Sequence, residues 1–331
     1  MRIGDQPGGV GAALLRPLRR RWQVPQILTL AVYLVAVGLL AYGAADTSGF
    51  LTVANLKAIL TSTALVGIIA VGMTAIMISG NLFSLSVGQT AAVTAMLFLY
   101  ALRIDLGVAI VLGVLLGLGI CAVQGAIVGY LGANTIIVTI GAGLLQAGFA
   151  TWLSNGDSIV PPAAATSYVH LSLPLLGIPF AVYVFFAVAI LVEFLLRATR
   201  FGRECYLMGE NRRAARAAGL PVALLTTGAF AVAGACTGAA GVLTGAASAN
   251  GSLLLVGTLT YDAIAATLVG GNAVTGGRGS VARTVVGALL IATVSDLLLL
   301  RGYGTGLQIL VKGIIVAAVV IVTNLRGSLN R

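Results

Sequence analysis

Apolar residues fill this chain in ten unbroken runs, at 24–45, 58–79, 85–102, 106–131, 136–153, 175–196, 221–246, 253–271, 284–300 and 307–325, parted by short polar or Gly/Pro-rich stretches. The runs do not alternate apolar with polar residues as barrel strands would, and their lengths cluster around the ~20 residues a helix needs to cross a hydrocarbon core. A helix also satisfies its own backbone in lipid. The pattern predicts an all-α polytopic bundle of about ten transmembrane helices. It forms one domain over 24–325, preceded by segment 1–23 and followed by tail 326–331.

Composition narrows the picture. With 331 residues, 59% of them hydrophobic and 8% charged, no room remains for a soluble domain beside the bundle. A net charge of +10 would point to nucleic acid in a soluble protein; here its placement reads as topology. If the amino terminus is cytoplasmic, 15 arginines fall in inner segments, against Lys57, Arg103 and Arg301 outside. Both termini are then expected in the cytoplasm. Arginine outnumbers lysine 17 to 2 in an Ala- and Gly-rich chain, which suggests a bacterial protein and hence the bacterial inner membrane.

Little of the usual catalytic chemistry is available. Cys121, Cys205 and Cys236 have no CxxC spacing and read as small packing residues, and His170 is the single histidine, so no metal site or His-based catalytic pair is expected. No GxxxxGK[ST] loop exists, so any ATP is hydrolysed elsewhere.

The segment 197–220 interrupts this apolarity with "GENRRAARAAGLP" at 209–221. Asn211 is a good helix cap, "RRAARAA" has high helix propensity, Gly219 suits a left-handed stop, and Pro221 opens the next run. A basic helix of about two turns at the membrane face is predicted, either resting on anionic lipid or gripped by a partner.

The segment resembles the Gly-x-Asn-x-x-Ala-Ala-Arg-x-Ala-Gly stretch of permease subunits of ribose-type ABC importers, through Gly209, Asn211, Ala214, Ala215, Arg216, Ala218 and Gly219. Further stretches agree in order: "LSVG" at 85–88, "TIIVTIG" at 135–141, "YDAIAATLVGGNAVTGGRGSVARTVVGALL" at 261–290, and "LQILVKGIIV". The resemblance implies a permease that carries a small polar solute, a monosaccharide above all. ATP and Mg would be bound by a separate cytoplasmic ATPase, with an extracytoplasmic binding protein and a second permease copy or sister permease completing the assembly. It makes Gly209, Glu210, Asn211, Ala215, Arg216 and Gly219 the candidate coupling residues. Where the family has an acidic residue before Leu-Ser-Val-Gly, this chain has Ser84, preceded by Phe83.

Polar groups within the runs need partners or functions. Asn81, Phe83, Ser84, Ser86, Thr135, Thr139, Gln146 and Asp262 are candidates for a solute path. Thr135, Thr139 and Gln146 share a helix face that could equally pack helices closely, and Asp262 could instead cap a half-helix. Asp296 and Lys312, at equal expected depth, are assigned as a structural ion pair; Glu193 and Arg197 have the spacing of another. "AIMISGNLFSLSVGQTA" from Ala75 echoes "ATLVGGNAVTGGRGSVA" from Ala266, which would make Asn81 and Asn272 corresponding helix breaks. The alternatives are a branched-chain amino acid permease of the same superfamily, or a secondary transporter or channel, for which Asp262 is the single carboxylate near mid-depth.

Overall fold

The computed structural model describes residues 49–163, 165–253 and 257–328, with scattered positions between 34 and 47. The amino-terminal segment 1–23 and most of the first expected span, 24–45, lie outside the described residues.

Eleven α-helices are described: α1 (Val53–Ile78), α2 (Val87–Ala101), α3 (Leu106–Leu131), α4 (Thr135–Ser154), α5 (Phe180–Ala198), α6 (Arg200–Glu210), α7 (Arg212–Ala217), α8 (Val222–Ser248), α9 (Leu259–Val269), α10 (Val281–Leu300) and α11 (Thr305–Ser328). Short polar side chains start several of them. Thr52 accepts from Asn55 N, Asp105 from Gly107 N and Val108 N, and Asn134 from Ile136 N, so each closes orphan amides at the start of a helix. Six helices, α1, α3, α4, α5, α8 and α10, are long and apolar enough to cross a membrane, and the chain is a multi-pass helical membrane protein.

Two expected spans are not full crossings. Runs 85–102 and 253–271 yield helices of 15 and 11 residues, about 22 and 16 Å long, against a core of about 30 Å. In the first of these runs side chains satisfy backbone amides at the start of the helix: Leu85 N donates to Thr139 Oγ1 (3.1 Å) and Gly88 N to Thr260 Oγ1 (2.9 Å). Irregular backbone is tolerated at membrane depth where protein encloses it.

The core lies around α1, which is buried almost continuously from Thr63 to Ile78, and around α8. Helices α3 and α8 run antiparallel at backbone contact. A Cβ on Gly117 would lie 2.6 Å from Gly234 O, and one on Gly129 2.7 Å from Ala223 O, so small residues at four-residue intervals set the approach. Between α4 and α5, Ile159 and Gly251 exchange backbone hydrogen bonds (2.9 and 2.8 Å), and a 3₁₀ turn (Ser167–Leu171) follows. A two-residue hairpin, β1 (Pro174–Leu175) with β2 (Ile178–Pro179), is a small addition to the all-α expectation. Helices α6 and α7 together mark one end of the bundle, the basic end.

Candidate functional site

Helix α7 is built as its sequence implies. Asn211 Oδ1 accepts from Arg213 N (3.1 Å) and Ala214 N (3.0 Å), and the helix closes with Gly219 N on Arg216 O and Leu220 N on Ala215 O (both 3.1 Å), Gly219 having φ +77°. It is six residues long, shorter than two turns. Ala215 is buried in the main core, while Arg213, Ala214, Arg216 and Ala217 are exposed. One side of the stub is therefore rooted and the other is free to be gripped.

The root is a meeting of glycines. At the end of α6, a Cβ on Gly209 would collide with Ile78 O and Gly277 N. Gly80 (φ +78°) and Gly276 (φ +87°) press against Gly209 and each other, and Gly277 N donates to Ile78 O (3.0 Å). Glu210 lies beside Gly277, with its carboxylate 4.0 Å from exposed Arg278. Arg212, the first residue of α7, turns inward to donate to Asn81 Oδ1 (3.3 Å) and Thr226 Oγ1 (3.5 Å). Burial first, and then the charge of Arg216, draws its pKa down. The basic stub is thus joined directly to the stop after α1, at Gly80, and to the loop that follows the end of α9, at Gly276 and Gly277.

The ends of α1 and α9 are the corresponding breaks. Ser79 N, Gly80 N and Asn81 N donate to Ala75 O, Met77 O and Ile76 O; Gly270 N, Gly271 N and Asn272 N donate to Ala266 O, Leu268 O and Thr267 O. Each bond has its counterpart 191 residues on, and Gly80 and Gly271 share φ values of +78° and +77°. The internal echo is a repeated three-residue stop.

Beyond Asn81 the chain runs without helix until Val87, where α2 begins beside the beginning of α9. The first turns of these two short helices meet deep in the bundle, with polar side chains around them. Ser84 Oγ is 3.2 Å from Ser86 Oγ, Ser86 Oγ donates to Gln124 Oε1 (2.8 Å), and Thr90 Oγ1 reaches Gln146 Oε1 (2.8 Å). Ser84, Ser86, Thr139 and Gln146 are thus brought together. Thr135 is buried one turn earlier on α4, Phe83 packs on the core, and Asn81 belongs to the glycine junction.

Gln124, Thr90, Gln89 and Thr260 complete the cluster, and none of them is among the candidates drawn from the sequence. Gln124 carries the one carboxamide in run 106–131, which is itself a signal, because a lone amide in lipid needs a partner.

The expected ion pair of Asp296 with Lys312 is not formed. Lys312 Nζ lies 2.6 Å from Asp262 Oδ1, both residues being 6% exposed, and Asp296 Oδ2 accepts from Asn55 Nδ2 (2.8 Å). Pairing by depth failed because α9 is a half-helix whose first turn holds Asp262. Glu193 and Arg197 do pair, at 2.5 Å, and Glu193 Oε2 also accepts from Val281 N (3.0 Å).

Comparison with known proteins agrees with this architecture. Residues 55–323 match the family described as branched-chain amino acid transport system / permease component. The chain is 31% identical to the D-allose transport system permease protein of Escherichia coli K12, over 87% of this chain and 89% of that protein. It is 30% identical to the ribose import permease protein of the same organism, over 83% and 87%. It is also 30% identical to the L-arabinose ABC transporter permease protein of Azospirillum brasilense, over 96% and 94%. No solved structure matches the chain.

Proposed function

Because the chain belongs to the family of branched-chain amino acid transport system permease components, we propose that it is the membrane-spanning subunit of an ATP-driven importer that carries a monosaccharide across the bacterial inner membrane. The allose, ribose and arabinose permeases among its relatives support the solute class. The family's own description supports a second reading, import of a branched-chain amino acid. A cytoplasmic ATPase, an extracytoplasmic binding protein and a second permease copy or sister permease complete the transporter, with both termini of this chain inside.

One observation carries the mechanism. The exposed basic stub, α7, is rooted through Gly209 and Arg212 in the stop that ends α1 and in the loop that follows α9. A force applied by the ATPase to Arg213 and Arg216 passes through the Gly80–Gly209–Gly276 contacts, where backbone meets backbone and no side chain can absorb the movement. From Asn81 it continues along 82–86 to the first turn of α2. Parting α2 from α9 opens the polar cluster to one side or the other. This chain itself performs no chemistry; Asp262 and Lys312 neutralise each other where α9 and α11 touch.

Reconstitution with the cognate ATPase and binding protein tests the reading. Liposomes should take up ribose or allose only with ATP, and Arg216→Glu should abolish uptake while ATP hydrolysis persists. Uptake by the permease alone, or ATP-dependent uptake of leucine in place of sugar, would overturn it.

A further inference from the structure

Three carboxamide atoms around the first turn of α2 are sealed from solvent without a hydrogen-bond partner: Gln89 Oε1 on α2, Gln124 Nε2 on α3 and Gln146 Nε2 on α4. Gln124 is 2% exposed. Two of these side chains are pinned at the other end, Gln124 by Ser86 and Gln146 by Thr90 (both 2.8 Å). Turning either carboxamide over exchanges the group left over without removing the deficit, since each amide offers both donor and acceptor to a single hydroxyl partner. Three helices thus converge on one place with hydrogen-bonding capacity in reserve. Gly143 of α4 faces them: a Cβ there would be in ordinary contact with Gln89 Oε1 (3.5 Å) and Ser86 Cβ (3.6 Å).

The same place lies against the meeting first turns of two half-helices, an arrangement that ordinarily attracts anions through free backbone amides. Here two of the amides are already held by hydroxyls: Gly88 N in the first turn of α2 by Thr260, and Leu85 N just before that helix by Thr139. The nearest charges, Asp262 and Lys312, are spent on each other at 2.6 Å. A zwitterion would need a cation for its carboxylate and an anion for its ammonium, and the cluster offers neither. A neutral ligand with hydroxyls close together, each able to donate and accept, complements two amide donors and one amide acceptor.

We propose that Gln89, Gln124 and Gln146 form a resting site inside the membrane for a neutral polyhydroxylated solute of pentose or hexose size, and that this site rejects amino acids. The proposal rests on the importer reading and adds where the solute pauses and which residues choose it. Because the three atoms are sealed, a solute reaches them only when α2 and α9 part.

Saturation-transfer NMR on the permease in nanodiscs with its cognate ATPase under ATP turnover, so that α2 and α9 part, with D-ribose, D-allose and L-leucine as probes, tests it. Sugar protons should receive saturation and leucine protons none. Gln124→Leu should weaken the sugar signal about ten-fold, because a site that hydrogen-bonds a hydroxyl loses its ligand when the partner is removed. Gln146→Leu, on a half-buried residue, should do the same and serves if Gln124→Leu fails to give monodisperse protein. A sugar signal indifferent to both substitutions, no sugar signal, or a leucine signal that they erase would each overturn the proposal. The two readings separate in the full transporter: ATP-driven sugar uptake that proceeds at the original rate in both variants overturns the resting site alone, whereas leucine uptake in place of sugar overturns the importer reading with it.

Discussion

The chain turns back at the basic end of the bundle twice, after α1 and after α9, and the two turns share their first three residues bond for bond. Their continuations differ. After Asn81, the sequence "LFSLS" alternates apolar and hydroxyl side chains, and the chain stays extended until a half-helix starts in mid-bundle. After Asn272, "AVTGGRG" curls at once. Ala273 N bonds Arg278 O (2.9 Å), Gly276 and Gly277 take φ of +87° and +70°, and α10 starts at Val281 beside the basic end. One stop therefore leads into the polar cluster, and the other forms the socket on which the basic stub sits. A repeated stop has been given one chemical and one mechanical continuation, and the residues immediately after the asparagine make the choice.

The comparison breaks most completely at Gly209, where both turns meet. Gly209→Val places side-chain atoms against Ile78 O and the backbone of Gly277, neither of which can move aside. The expected cost is about 3 kcal/mol or more, read as a collapse of the melting temperature in detergent or a loss of monodisperse protein. Gly219→Ala is the control. It has a left-handed backbone, φ +77°, where Gly209 is helical, but meets nothing within 4 Å, so it should cost only about 1 kcal/mol. Equal effects from the two would mean that the close approach at Gly209 counts for no more than a left-handed backbone does.

A smaller effect separates the two asparagines. Asn272 Nδ2 donates to Thr267 O (2.9 Å) and Thr284 Oγ1 (2.8 Å), and its Oδ1 accepts from Ser280 N (2.9 Å), so it ties α9 to α10. Asn272→Ala should cost about 2–4 kcal/mol in melting experiments, because it strands buried partners. Asn81 donates to Ser79 Oγ (2.9 Å) and accepts from Arg212. Asn81→Ala should cost about 1 kcal/mol and show itself mainly as ATP hydrolysis without uptake. A reversed order of stability would mean that the first stop, not the second, is the structural one.

Legibility in the sequence followed the same division. Local signals read well: Asn211, Gly219 and Pro221 bound a short helix because capping depends on neighbours along the chain. The repeat of Asn81 and Asn272 was legible for the same reason. Signals that depend on depth read poorly. Counting residues from assumed membrane boundaries put Lys312 beside Asp296, yet a run of apolar residues does not reveal that α9 is half a span preceded by non-helical chain. Gln124 stands alone in an apolar run, without the same-face polar neighbours that mark Thr135, Thr139 and Gln146, although a lone carboxamide in lipid poses the same problem of an unmade bond.

The last test asks whether the stub is presented to solvent while its root is closed, and its expected effect is the smallest, since one arm is the absence of a reaction. Cys205 on α6 is buried, and desolvation, reinforced by the charge of Glu204, pushes its thiol up to about 12. Only the thiolate alkylates, so at pH 8 roughly one molecule in ten thousand would be reactive even if reagent could reach it. Maleimide should leave Cys205 unlabelled across pH 7–9 in the folded protein and label it after denaturation. A cysteine at Arg213, exposed on α7, should label within minutes, with a rate that rises as the pH climbs toward the ordinary thiol value of about 8.5. In sealed right-side-out vesicles that second reaction should need a membrane-permeant reagent, because the basic end is expected inside. Rapid labelling of Cys205 would mean that α6 detaches from the glycine junction at rest, and then the stub could not transmit a pull to either turn.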